Sequence, residues 1–141
     1  MYSKLFHDIR FFVVAPCFLV SVSAIAADKH TFEAEKAAPV AGAAKVADRD
    51  ASGRASVALA NAGQGIKFTR LPAAGKLAIH YASVTNGTIS VAVNDQPARK
   101  VNVHSSGALT NSFLNAIIEL AIPAKATLTI SMATNDVAVN V

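Results

Sequence analysis

Apolar residues fall on alternate positions through four consecutive short segments of this chain. Ile66 and Phe68 share one face, then Leu77, Ile79 and Tyr81, then Ile89, Val91 and Val93, then Val101 and Val103. Lys67, His80, Thr88, Ser90, Asn94 and Asn102 take the other. Successive side chains of extended backbone point to opposite faces, so a period of two marks strands with one side buried. The breaks carry turn chemistry: Pro72 and Gly75, then Asn86-Gly87, then Asn94-Asp95 with Pro97. The pattern predicts an antiparallel sheet with one buried face.

The same period extends beyond this block. Leu128, Ile130 and Met132 alternate with Thr127, Thr129 and Ser131, and Val137, Val139 and Val141 start a last strand with Ala138 and Asn140 on its other face. Residues 30–36 predict a first strand, with Thr31, Glu33 and Glu35 on one side and Phe32 and Ala34 on the other. Between 37 and 54 the alanines invite a helix, but Pro39, Gly42 and Gly53 argue for one short strand near 43–46 flanked by loops. Residues 55–59 make a further strand before a turn at 61–65. Over 108–122 two readings stay open, because Leu109, Phe113 and Ile117 are spaced like a helical stripe; a strand over 117–122, ended by Pro123, is preferred. About nine or ten short strands, with turns every 8 to 12 residues or so, predict an all-β, two-sheet jelly-roll sandwich.

Charge and composition narrow the picture. Residues 1–26 have the parts of a secretory signal peptide: Lys4 and Arg10, an apolar run over 11–22, and Ala24-Ile25-Ala26 as an A-x-A cleavage site. The apolar run is short for a membrane anchor and is followed by small residues, so a secreted or periplasmic protein with no membrane span in its mature part is expected. Cys17, the only cysteine, lies in this segment, which leaves residues 27–141 to form one domain without a disulfide, stabilised by its core or a bound metal. Loss of Lys4, Arg10 and Asp8 lowers the net charge from +4 to +3. The basic residues are scattered, which gives no footprint for nucleic acid. The chain stops within its last predicted strand, so a domain truncated there is expected.

Candidate chemistry is sparse. Two carboxylates two residues apart on one strand face repel unless something positive lies between them. Glu33 and Glu35 therefore point either to an oxygen-liganded cation, calcium foremost, or to a solvated edge. His30, His80 and His104 with Ser105, Asp95 or Asp136 have no nucleophile elbow, metal-binding His pair or phosphate loop beside them, and read as surface residues. Glu33 and Glu35 cannot straddle a sugar from opposite sides as an acid and base pair. The residues thus point to a protein that is not an enzyme.

Several short motifs recur in a telling order. They are Thr31-Phe32-Glu33-Ala34-Glu35, Ser52-Gly53, Gly63-Gln64-Gly65-Ile66-Lys67-Phe68, Leu71-Pro72-Ala73-Ala74-Gly75, Ser106-Gly107, Ile122-Pro123-Ala124 and Val139-Asn140-Val141. In this the chain resembles carbohydrate-binding modules of the family 6 and family 35 kind. The resemblance implies a galactose-binding-like jelly roll that attaches to a polysaccharide or glycan, as part of or beside a glycoside hydrolase. It implies that Glu33 and Glu35 hold a structural calcium, whose further carboxylate would follow Val141. It assigns sugar contacts to Asn140, to the position of Leu109, where the family carries a Trp, and to Phe113 or Tyr81 as a substitute platform. Tyr81 shares a face with Leu77 and Ile79, which favours core packing instead. The missing aromatics leave a second reading, a structural or protein-interaction sandwich whose sugar site has decayed.

Overall fold

The computed structural model describes residues 28–141. The predicted signal peptide, its cleavage site and Cys17 lie outside the described residues. Ten strands follow a one-turn 3-10 helix at Ala34–Lys36: β1 (Ala38–Val40), β2 (Ala44–Ala47), β3 (Ala55–Leu59), β4 (Gly65–Leu71), β5 (Ala74–Tyr81), β6 (Gly87–Val93), β7 (Arg99–Val103), β8 (Leu114–Ile122), β9 (Ala126–Ser131) and β10 (Val139–Asn140). All pairings between them are antiparallel. One sheet runs β1-β4-β9-β6-β7. The facing layer consists of β10-β3-β2 and the pair β5-β8, joined by a bridge between Ala82 and Asn140. This is the expected all-β jelly-roll sandwich.

The period-two residues build its core. In the first sheet the register sets Ile66 against Ile130, Phe68 against Leu128, Val91 against Ile130 and Ile89 against Val101. The second layer contributes Val57, Leu59, Ile79, Tyr81, Ala116 and Val139. A fully buried Ile or Leu is worth about 1.5–3 kcal/mol. Truncating one, such as Ile89→Ala, costs about 2–5 kcal/mol because a close-packed core does not collapse into the cavity. Tyr81 is 1% exposed, and its hydroxyl accepts a hydrogen bond from the His104 backbone N–H at 2.7 Å. It is a core residue rather than a sugar platform.

Three predicted features are corrected. The four alternating segments do not form one sheet: β4, β6 and β7 share a layer, whereas β5 crosses to the other and pairs with β8. Alternation tells each strand which side to bury and is silent about its partner. The predicted first strand at 30–36 is also absent. Lys36 N–H donates to the Glu33 carbonyl at 3.1 Å and Ala37 N–H to that of Ala34 at 3.0 Å, so the backbone tightens into a turn. Pairing begins only at Ala38, in a strand that contains Pro39; it lies at the sheet edge, where a missing N–H is tolerated. Finally, the stretch that had left a helix open is a loop to Phe113 followed by the nine-residue strand β8, longer than expected.

The two outer faces are finished differently. Ser90 and Thr88 do point away from the core, but the segment 133–137 folds over them. There Asp136 accepts hydrogen bonds from Thr88 Oγ1 at 2.5 Å, Ser90 Oγ at 2.7 Å, Lys100 Nζ at 2.7 Å and Ala133 N–H at 2.9 Å. Burial alone would push this carboxyl up; the four donors outweigh it and hold it below the usual aspartate value. Val137 packs so closely on Gly87 that a Cβ there would overlap its Cγ1. The outer face of the second layer is crossed instead by loop 105–113.

Candidate glycan-binding site

Loop 105–113 is polar and Ser-rich, and it is held at each end. Ser105 N–H donates to Asn86 Oδ1 at 2.7 Å and Ser106 N–H to the Ser83 carbonyl at 2.7 Å. At its middle, Asn140 Nδ2 donates to the Leu109 carbonyl at 2.8 Å. Further on, Asn111 N–H donates to Asp48 Oδ2 at 3.1 Å, and with its amide turned for donation the nitrogen lies 3.2 Å from both Asp48 Oδ1 and Asp50 Oδ2. Asn111 adopts φ 59° to make that reach, a left-handed conformation that Asn tolerates better than most residues. Nearby on β3, the Ser56 hydroxyl is buried and has no hydrogen-bond partner among the described residues.

The loop delivers Phe113 onto the outer face of β5. Its ring stacks on His80, with centroids 4.9 Å apart and planes 15° from parallel. His80 Nδ1 in turn lies 3.1 Å from Asn115 Oδ1 on the paired strand β8. Phe113 and His80 line a small hollow of about 60 Å³ together with Glu33, Glu35 and Ser52. The Ser52 hydroxyl donates to Glu33 Oε2 at 2.7 Å. Glu35 presses on the neighbouring Gly53, where a Cβ would overlap Glu35 Oε1.

The five sequence-predicted site residues therefore fall into two adjoining groups. Glu33, Glu35 and Phe113 surround one hollow, although no strand aligns the two carboxylates; the 3-10 turn brings both to the Ser52-Gly53 loop. Asn140 and Leu109 form the other group. Register places Asn140 beside Ala58 and opposite Val139 in facing, as expected, but it is only 4% exposed because the loop covers it. Its amide N–H is used within the chain, and Leu109 is half-buried. The sequence marks His80 only as a surface residue; its place on a strand face next to an aromatic 33 positions away has no local signal.

The donor set at the hollow suits a hard cation. Two carboxylates and a hydroxyl offer oxygen ligands of the kind calcium takes, and Gly53 leaves the space that a side chain would fill. Among the described residues no group of three or more Asp, Glu, His or Cys side chains converges, so the acidic contribution of these residues is the pair alone.

No protein-family model matches the chain, and no curated protein sequence matches it. Solved structures do match its fold. The family 35 carbohydrate-binding module from Clostridium thermocellum superposes with a TM-score of 0.67 at 17% identity, over 77% of this chain and 92% of that one. An exo-β-1,3-galactanase from Phanerochaete chrysosporium, solved with galactose, gives 0.68 at 19% identity over 77% of this chain. The catalytic domain of an α-1,3-glucanase in complex with tetrasaccharides gives 0.67 at 21%. The chain spans 27% and 26% of the length of those two enzyme chains. The fold is thus that of a carbohydrate-binding-module-type jelly roll. Among the described residues no helix is long and apolar enough to cross a membrane.

Proposed function

We propose that this chain is an exported, non-catalytic glycan-binding module, acting as part of or beside a glycoside hydrolase. The observation that carries the reading is the Phe113–His80 stack, set beside two carboxylates on an outer face of the jelly roll. A half-buried ring offers the apolar face of a sugar a surface to lie on, and His80 and Asn115 offer hydrogen-bond partners to its hydroxyls. The fold supports the class, since one structural neighbour is itself a carbohydrate-binding module and two others are glycan-cleaving enzymes. Calcium held by Glu33 and Glu35 would tie the N-terminal turn to the Ser52-Gly53 loop and so fix one wall of the hollow.

The test is a titration of residues 27–141 with neutral galacto- and gluco-oligosaccharides. A single stacking platform with a few exchangeable hydrogen bonds supports about 5.5 kcal/mol, a high-micromolar affinity. Phe113→Ala is expected to weaken binding about tenfold, the worth of one aromatic contact. Binding that ignores Phe113→Ala would place the sugar elsewhere, and release of reducing sugar by the purified chain would contradict the non-catalytic reading.

A second reading is favoured by Asn140. Its amide N–H is spent on the Leu109 carbonyl rather than presented to solvent, as expected of a sandwich whose sugar site has decayed into a structural or protein-interaction role. Absence of binding to any glycan in a polysaccharide pull-down would favour it.

A further inference from the structure

β8 is the outermost strand of the second layer. Tyr81 pairs with Leu114 on one side of β5, while the next residue, Ala82, exchanges backbone hydrogen bonds with Asn140 on the other. Among the described residues no strand pairs with the far edge of β8. Backbone groups alternate in direction along a strand, so Leu114, Ala116 and Ile118 turn theirs to β5, and Asn115, Ile117 and Glu119 turn theirs to the open edge. The Glu119 carbonyl agrees, since Arg99 Nη1 reaches over from β7 and donates to it at 2.6 Å.

The other three edges of the described sheets are blunted. β1 has three residues and holds Pro39, β2 has four with Lys45 among them, and β7 opens with Arg99-Lys100. Short length, proline and positive charge discourage a further strand from adding to an edge. β8 has nine residues with no Pro, Lys or Arg, and its one charge, Glu119, is met by Lys76 at 3.0 Å. Ile117 is 69% exposed on the outer face, and on the inner face Leu114 is 37% exposed, with Ile118 and Leu120 half-buried. Apolar side chains thus stand uncovered on both sides of this strand.

We propose that β8 pairs with β8 of a second copy of this chain, antiparallel, about a two-fold axis at Ile117. With the axis there the two Ile117 side chains meet, Asn115 faces Glu119 of the second copy, and on the inner side Leu114 faces Leu120 of the second copy. An axis at Ile118 would instead set Ile117 against Glu119. Polarity is matched along each row. Asn115 Oδ1 lies 3.1 Å from His80 Nδ1, which leaves its Nδ2 to donate to Glu119 of the second copy, whose Oε1 holds Lys76. The Glu119 carbonyl has a second lone pair for the incoming N–H beside Arg99. Each off-axis contact occurs twice, as a two-fold requires, and main-chain bonds supplemented by alternate side chains are the means by which an edge takes up an added strand. The axis stands perpendicular to the sheet, so both Phe113–His80 stacks lie on one side. Under the glycan-binding reading the dimer is thereby bivalent; the pairing itself does not rest on that reading.

The experiment is sedimentation equilibrium of the protein lacking residues 1–26, which retains every described strand. A reversible monomer–dimer equilibrium is expected, with a dissociation constant of about 10 μM, as suits a small interface. Ile117→Lys sets two ammonium groups face to face and should raise that constant about a hundredfold. Asn115→Asp opposes Glu119 and should raise it about tenfold at low salt. Val84→Lys, at an exposed apolar residue off the strand, should leave it unchanged. Register is read by cross-linking. Cα atoms of a hydrogen-bonded antiparallel pair lie about 5.5 Å apart, within disulfide reach, and removing residues 1–26 removes Cys17, the only native cysteine. Under mild oxidant Ile117→Cys should therefore form a covalent dimer and Ala121→Cys should not. The cross-link also decides the matter should Ile117→Lys fail to fold. A protein that stays monomeric to about 1 mM, a dimer indifferent to Ile117→Lys, or one cross-linked through Ala121→Cys and not through Ile117→Cys would overturn the proposal.

Discussion

Asp136 and the pair Glu33 and Glu35 are carboxylates finished in opposite ways. Asp136 sits in a turn over the first sheet with a side chain that is 0% exposed, and the chain gives it four donors. Glu33 and Glu35 are half-buried on the other side of the molecule and between them receive one side-chain donor among the described residues, the Ser52 hydroxyl. An ionised carboxylate offers about four lone-pair sites. Asp136 is fully answered from within and therefore structural. The glutamates keep acceptor capacity that solvent or a ligand must fill. Burial with complete satisfaction and exposure with incomplete satisfaction separate the two roles better than the number of acidic residues does.

The largest expected effect breaks the answered side. Asp136→Ala leaves Thr88, Ser90, Lys100 and the Ala133 N–H without their acceptor, and should cost about 3 kcal/mol in urea unfolding at neutral pH. The folded carboxyl is held below its ordinary value, so its contribution is complete above the usual aspartate range and is lost as pH falls through the folded value. The gap between wild type and variant should accordingly close in acid. A loss under about 1 kcal/mol, or a gap independent of pH, would mean that the four contacts do not act together.

Calcium tests the unanswered side. A cation bound by the folded state alone at a hundred times its dissociation constant adds about 2.7 kcal/mol. Melting temperature should rise with calcium in the wild type and not in Glu33→Gln or Glu35→Gln. A wild-type melt indifferent to calcium and chelator would make the pair an ordinary surface.

The smallest change is the sharpest. A Cβ at Gly53 meets only the far end of Glu35, which can swing away. Gly53→Ala should therefore alter calcium-free stability by no more than about 0.5 kcal/mol while removing the calcium response. Equal calcium stabilisation in Gly53→Ala would show that the glutamate does not need the space.

These carboxylates also mark the boundary of what the sequence could tell. Ile89, Val91 and Val101 announce their facing through a local period, and the sandwich follows from repeating it. Partner choice is non-local: β5 and β6 are consecutive and alternate alike, yet they lie in different layers. The acidic pair is visible in the sequence because its members are two residues apart, although a turn and not a strand carries it. From the sequence Asp136 stands only as one carboxylate among scattered histidines and serines, because Thr88, Ser90 and Lys100 lie 48, 46 and 36 residues away. His80 and Phe113 meet for the same reason, through folding and not through spacing.

Among the described residues, backbone pairing makes the second layer continuous at only one point. Between Ala82 and Asn140 two backbone hydrogen bonds, of 2.8 and 2.9 Å, join β5-β8 to the rest. Ladders of several residues flank this single rung, so it is the seam along which the layer comes apart with the fewest bonds broken. Opening there would release β5 and β8 as a pair, carrying the His80 platform with them, while the first sheet stays closed. Amide exchange should then show β5 and β8 exchanging together and sooner than β6 or β9. Asn140 holds the rung by its backbone and the loop by its side chain. One residue thereby makes the integrity of the layer and the posture of loop 105–113 a single event, and a sugar that steadies the loop would slow the exchange of strands it never touches.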